Sequence, residues 1–264
     1  MVNWFVMLSP QIQALLATIF TWLMTLIGAG LVFFVKKINK NFMDGMLGFA
    51  GGVMISASFF SLLSPAMDMA SNLNLNVALM LTLGFISGGL LLFISDNIFS
   101  HYTKQIPEKK TSKRSLMLIL SITLHNIPEG LAVGVLFGSV PYGLDGATII
   151  SAVTLAIGIG LQNFPEGSAV SFPLRREGYS RLKAFFYGQA SGLVEPISGF
   201  LGALLVLKVR MLLPFFLSFA AGAMIYVVVQ ELIPESQTNK QKDVMAIFTL
   251  IGFSVMMILD IALG

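Results

Sequence analysis

Apolar runs of membrane-spanning length recur along almost the whole chain. A helix that crosses bilayer hydrocarbon needs roughly 20 apolar residues, and eight such stretches can be laid down: 11 to 35, 43 to 64, 77 to 99, 116 to 138, 147 to 172, 184 to 207, 213 to 233 and 244 to 262. With 56% hydrophobic and 11% charged residues among 264, no soluble domain is left over. The expected fold is therefore an all-α integral membrane protein of eight transmembrane helices, one polytopic domain over residues 1–264. No Lys or Arg precedes Lys36, so the first stretch lacks the basic region of a cleavable signal and reads as a retained span. Cysteine is absent, which removes disulfides, thiolate metal sites and thiol chemistry.

The basic residues orient this bundle. Loops after spans 1, 3, 5 and 7 share one side, and they hold 14 of the 16 Lys and Arg residues: Lys36, Lys37, Lys40, Lys104, Lys109, Lys110, Lys113, Arg114, Arg175, Arg176, Arg181, Lys183, Lys240 and Lys242. By the positive-inside rule those loops are cytoplasmic and both termini are outside. The modest net charge of +3 gives no reason to invoke nucleic acid.

Two polar runs interrupt the apolar fourth and fifth spans: His125-Asn126-Ile127-Pro128-Glu129-Gly130 and Gln162-Asn163-Phe164-Pro165-Glu166-Gly167. A charge at the bilayer centre is costly, about 2.5 kcal/mol or more, so ionisable residues there mark a pathway or a binding site. In each run the first and fifth residues, His125 with Glu129 and Gln162 with Glu166, share one helix face. Pro128 and Pro165 cannot donate to the carbonyls of Leu124 and Leu161, which predicts a kink and a freed oxygen at each motif.

A weak internal repeat surrounds the motifs. Phe49-Ala50-Gly51-Gly52-Val53-Met54-Ile55 recurs as Phe219-Ala220-Ala221-Gly222-Ala223-Met224-Ile225, an offset of 170 that also matches Leu62 with Leu232. The two copies lie in spans 2 and 7, which run in opposite directions, so the repeat is inverted. Inverted repeats around interrupted helices are a recurring plan of secondary transporters.

No counter-charge is available inside the bundle. Glu129, Glu166 and Glu195 lie near mid-span and Glu231 near the inner end of span 7, while every Lys and Arg falls in a loop or at a span end. Buried carboxylates without a partner must be protonated, hydrated or neutralised by a bound cation. Imidazole, carboxylate and amide groups from His125, Glu129, Gln162, Glu166, Asn126 and Asn163 form a mixed N/O set suited to zinc, iron(II), manganese or cobalt. An all-oxygen calcium or magnesium site leaves the histidine unexplained.

The paired motifs resemble the metal-site motifs of the ZIP (Zrt/Irt-like) metal transporter family, and the second run with Pro173-Leu174-Arg175-Arg176-Glu177-Gly178 is similar to its bacterial GufA-like branch. The resemblance covers nearly the whole chain. It implies a 3+2+3 arrangement in which spans 1–3 and 6–8 form the inverted repeat, with His125, Glu129, Gln162 and Glu166 binding one metal. Asn126, Asn163, Glu166 and Glu195 would approach a second. Two positions depart from the family pattern: many relatives have His where this chain has Gln162, and members with two well-formed sites can be acidic at Asn163.

The resulting expectation is an importer of divalent transition metal, zinc foremost, with the metal as transported substrate and no organic cofactor, in a bacterial plasma (inner) membrane. Asp68, Ser61 and Met54 would line the outer mouth, and Asp96 and Glu231 the inner exit. A divalent ion moving inward gains roughly 4.6 kcal/mol per 100 mV of inside-negative potential, so uptake needs no nucleotide. Its partners are the metal ions and the lipid bilayer, and assembly as a homodimer is open. The alternative reading is a proton-coupled carrier of an organic cation with the glutamates as proton relay. An intramembrane metalloprotease is disfavoured, since the chain has only two histidines and no His-Glu-x-x-His helix.

Overall fold

The computed structural model describes residues 3–34, 39–104, 110–143, 147–206 and 210–263, without the side chains at 3, 99, 100, 102–104, 110–118, 120, 121, 125, 210 and 263. Its long helices are α1 (Pro10–Gly30), α2 (Lys40–Asn72), α3 (Val77–Lys104), α4 (Lys110–Ser139), α5 (Ile149–Arg176), α6 (Arg181–Val206), α7 (Leu213–Ser236) and α8 (Lys242–Leu263). A short helix, Asn3–Val6, precedes them. Among the described residues no strand is present, and seven helices, all but α4, are long and apolar enough to cross a membrane.

Local chemistry sets several helix starts. Pro10, whose ring presets φ, opens α1. Asn39 caps α2 by accepting from Asn41 N at 3.0 Å, Thr148 and Ser151 form a reciprocal capping box on α5, and Ser180 caps α6. At the far end of α5, Gly178 takes a left-handed φ of 93° that lets Tyr179 N reach back to Leu174 O at 3.1 Å.

Helix partners repeat by exchange. α1 packs on α5 as α6 packs on α4, α2 packs on α8 as α7 packs on α3, and α2 meets α5 as α7 meets α4. Close approach makes these contacts possible: a Cβ on Gly88 of α3 would collide with the Phe219 carbonyl, and one on Gly252 of α8 with the Phe49 carbonyl. Phe49 and Phe219 are the residues that open the two copies of the sequence repeat. Phe49 and Phe219, 170 positions apart, thus take equivalent places in the packing, while their glycine partners on α8 and α3 stand 164 positions apart.

The same offset governs the irregular turns. Ser58–Leu63 within α2 and Val228–Leu232 within α7 are π-helical, and their first residues stand 170 positions apart. π turns add a residue to the helical ladder and are frequent at functional positions. In α2 the helix then continues through Pro65 to Asn72, well past the expected end at 64, because a proline just after the widened turn forfeits little. At Pro128 and Pro165, where a kink and a freed carbonyl are expected, α4 and α5 remain helical, and α5 also runs through Pro173. The one break within a long helix is in α6, between Gly192 and Val194, where Pro196 can neither donate to the Gly192 carbonyl nor leave it room.

At the end of the bundle that carries the basic loops, α2 is clasped to the turn joining α7 and α8. Asp44 is buried, and its Oδ2 accepts from Lys40 Nζ at 2.5 Å and Asn239 Nδ2 at 2.7 Å. Ser236 Oγ donates to the Asp44 carbonyl, Lys40 also reaches Thr238 Oγ1, and Asn41 bridges Asn239 and Gln241. Lys40–Asp44, i and i+4 in the first turns of α2, is an ion pair at this clasp.

Candidate metal centre

The two motifs face one another across α4 and α5, flanked by α6 and α1. The motif glycines set that spacing: a Cβ at Gly130 would strike Ser198 and the Glu195 carbonyl of α6, and one at Gly167 would strike the Thr25 carbonyl of α1. The motif asparagines make equivalent bonds. Asn126 Nδ2 donates to Ser191 O of α6 at 2.9 Å, and Asn163 Nδ2 donates to Thr21 O of α1 at 3.1 Å. Ser191 and Thr21 are again 170 positions apart.

These bonds orient the amides so that their oxygens are left over. Asn126 Oδ1, Glu129 Oε2, Gln162 Oε1 and Asn163 Oδ1 are all buried without a hydrogen-bond partner. Gln162 Nε2 donates to Glu129 Oε1 at 2.6 Å, which fixes both of those side chains and still frees one oxygen on each. Glu129, Gln162 and Asn163 are fully buried, and Glu166 is 5% exposed. An unsatisfied buried polar atom costs about 1–3 kcal/mol, so four such oxygens from two facing helices form an arrangement that a ligand can complete.

Their chemistry selects the kind of ligand. All four atoms are acceptors, which a hydrogen-bond donor or a cation can satisfy, and Glu129, Glu166 and Glu195 lie within electrostatic reach of one another. Among the described residues no three Asp, Glu, His or Cys side chains converge closely enough to hold a metal by themselves. The amide oxygens of Asn126, Gln162 and Asn163 are further donors on which a metal here can draw. His125 lies within α4, and its side chain is outside the described residues.

Glu195 differs from the other acids. Both of its oxygens are engaged, by Asn163 Nδ2 at 3.0 and 2.9 Å and by the Thr21 hydroxyl on Oε2. Thr21 was not singled out in the sequence, where a threonine in an apolar span carries no signal.

Of the residues expected along a path, Met54 is fully buried and Asp68 is exposed on the last turns of α2. Ser61 Oγ donates to Asp260 Oδ1 of α8 at 2.6 Å, an acid that sequence reasoning missed. Asp96 accepts from the Tyr226 hydroxyl, and Glu231 lies within electrostatic reach of Tyr226 and Glu166. Ser61 and Glu231 occupy the two π turns, 170 positions apart. The repeat offset already visible in the sequence could have pointed from Glu231 to Ser61 and so to its partner.

Similarity to known proteins decides the family. Residues 104–260 match the model of the family described as ZIP zinc transporter. The chain is 37% identical to human zinc transporter ZIP11 over 97% of its own length and 98% of that protein's, and 35% identical to zinc transporter ZIPB of Bordetella bronchiseptica over 91% and 78%. Zinc transporter GufA of Myxococcus xanthus is 32% identical over 95% and 98%. The chain belongs to the ZIP family. It is thus an all-helical, multi-span integral membrane protein, and these ZIP relatives carry the names of transporters rather than enzymes. Within this ZIP chain the expected GufA likeness is present at 32% identity, alongside the 37% identity to the human protein.

Proposed function

We propose that this ZIP-family chain carries a divalent transition metal, zinc foremost, across a membrane into the cytoplasm. The observation that supports it best is the set of four buried, unpartnered oxygens contributed by Asn126, Glu129, Gln162 and Asn163, acceptors of the kind that bound cations satisfy. The relatives' names point to zinc, and iron(II), manganese, cobalt and cadmium suit the same mixed donors. In this reading His125, Glu129, Gln162 and Glu166 hold the ion, and Asn126, Asn163, Glu166 and Glu195 make the set that a second ion would approach.

The chain would cross the membrane eight times in a 3+2+3 plan, α4 and α5 lying between inverted triplets. The exchange of helix partners and the matched π turns support that plan. Charge placement puts the basic loops in the cytoplasm and the termini outside, in a bacterial inner membrane. Met54, Ser61 and Asp68 then belong to the entry side and Asp96 and Glu231 to the exit.

Purified protein in liposomes tests the activity. Zinc uptake driven by an imposed inside-negative potential is the expected result, and organic-cation flux unaffected by a chelator, with no metal movement, would replace this reading by the proton-coupled carrier. Orientation is testable in the cysteine-free background with Asn74→Cys and Lys240→Cys, both at exposed positions. Label should reach the first from outside and the second only from the cytoplasm.

A further inference from the structure

The break in α6 leaves backbone carbonyls that other helices answer. In a continuous α-helix the Gln189 carbonyl would accept from Leu193 N, four residues on; here Leu193 N donates three residues back instead, to Ala190 O at 3.2 Å. The freed Gln189 carbonyl takes its donor from α1, where Trp22 Nε1 stands 3.0 Å from it. An indole nitrogen is a donor only, so the direction of this bond admits no alternative. Gly188, where a Cβ would come within 2.8 Å of that of Ala29, lets α1 approach α6 closely enough for it. Two residues beyond Gln189, Ser191 O accepts from Asn126 Nδ2 at 2.9 Å, and the other end of that amide, Asn126 Oδ1, is buried without a partner.

We infer that Trp22 is a positioning residue for the transported ion: its indole N–H holds the last turn of α6 before the break in the form that presents the Ser191 carbonyl to Asn126, and so aims Asn126 Oδ1 at the ion. The inference rests on the metal-transport reading above. Its physical basis is that a backbone carbonyl away from water needs a donor. Without the indole, the Gln189 carbonyl recovers its ordinary partner by drawing Leu193 N back into an α-helical bond, which rewinds the turn that carries Ser191. Asn126, tied to that turn through Ser191 O, then moves with it. The route from Trp22 on α1 to the ion thus runs through one motif side chain on α4.

Zinc affinity of the purified full chain in detergent, measured by competition with a chelating indicator, tests this separately from transport. Trp22→Phe keeps an aromatic ring but loses the N–H, and should weaken zinc by about three- to tenfold, the equivalent of one lost hydrogen bond. Replacing Trp22 by benzothienylalanine, the isostere with sulfur in place of N–H, should weaken it as much, whereas fluorotryptophan, which keeps the N–H, should bind as wild type does. The isostere preserves the shape of the ring, so it decides the matter even if the melting temperature shows that Trp22→Phe fails to fold. In an Asn126→Ala background, which should itself bind zinc more weakly, Trp22→Phe should cost less than about twofold more, because the route is already cut. Wild-type affinity in the benzothienylalanine protein would overturn the inference. So would a full three- to tenfold loss persisting in the Asn126→Ala background, about what an additive, purely structural residue gives. No zinc bound by wild type would instead sink the transport reading on which this one stands.

Discussion

Two buried polar regions in this molecule differ in how they are completed. Around Asp44, at the basic-loop end of α2, no clasp atom is among those buried without a partner: Lys40 and Asn239 bond the carboxylate, Ser236 the carbonyl behind it, and Asn41 bonds Asn239 and Gln241. Between α4 and α5 the motif side chains are buried as deeply, yet four of their oxygens meet nothing. Burial and polarity are alike, so neither marks a functional site by itself. What separates the regions is satisfaction. A closed network needs no ligand and holds helices together, whereas one left open at acceptors only is complete when a cation arrives.

Substitutions sharpen the contrast, and the largest effect belongs to the open region. Glu129→Ala or Glu166→Ala removes a charged donor beside a divalent ion, and zinc uptake in liposomes should fall at least about tenfold at normal expression and melting temperature. Uptake retained in either would break the assignment. Asp44→Ala should do the reverse: it strips the clasp of its central acceptor and should lower unfolding stability by about 1–3 kcal/mol, read from the thermal transition, without moving the zinc dissociation constant.

Gln162→His should shift selectivity more than capacity. An imidazole in place of an amide oxygen favours zinc over manganese, so the ratio of their uptake rates should rise several-fold. An unchanged ratio would mean that Gln162 Oε1, although unpartnered, is not a ligand. The smallest effect is expected for Asn41→Ala at the exposed rim of the clasp, about 0.5 kcal/mol or less in stability. A larger loss would show that the clasp draws its strength from the rim rather than from buried Asp44.

Much of this was readable before any fold was known. Pattern and length located every long helix to within a few residues at most ends, because crossing a bilayer imposes a length and an apolar composition on each segment. α2 was the exception: Ser64-Pro65 reads as a stop, and only the π turn before it lets the helix continue. The 170-residue offset in spans 2 and 7 was legible, but that it also relates α1 to α6, aligning Thr21 with Ser191 as carbonyl acceptors of the motif asparagines, required the packed structure.

The motifs were likewise legible as a site, since carboxylates without counter-charges in apolar spans are chemically conspicuous. The partners of those motifs were not. Thr21, Asp260 and Tyr226 are ordinary residues in their own segments and acquire meaning only from what stands opposite, on Glu195, Ser61 and Asp96. By itself the sequence determined the class of fold, the number of long helices and the two runs that carry the chemistry, because these follow from local composition and spacing. Tertiary structure alone decided which oxygens are bonded and which are left for a ligand, because hydrogen-bond satisfaction is a property of contacts between helices far apart in the chain.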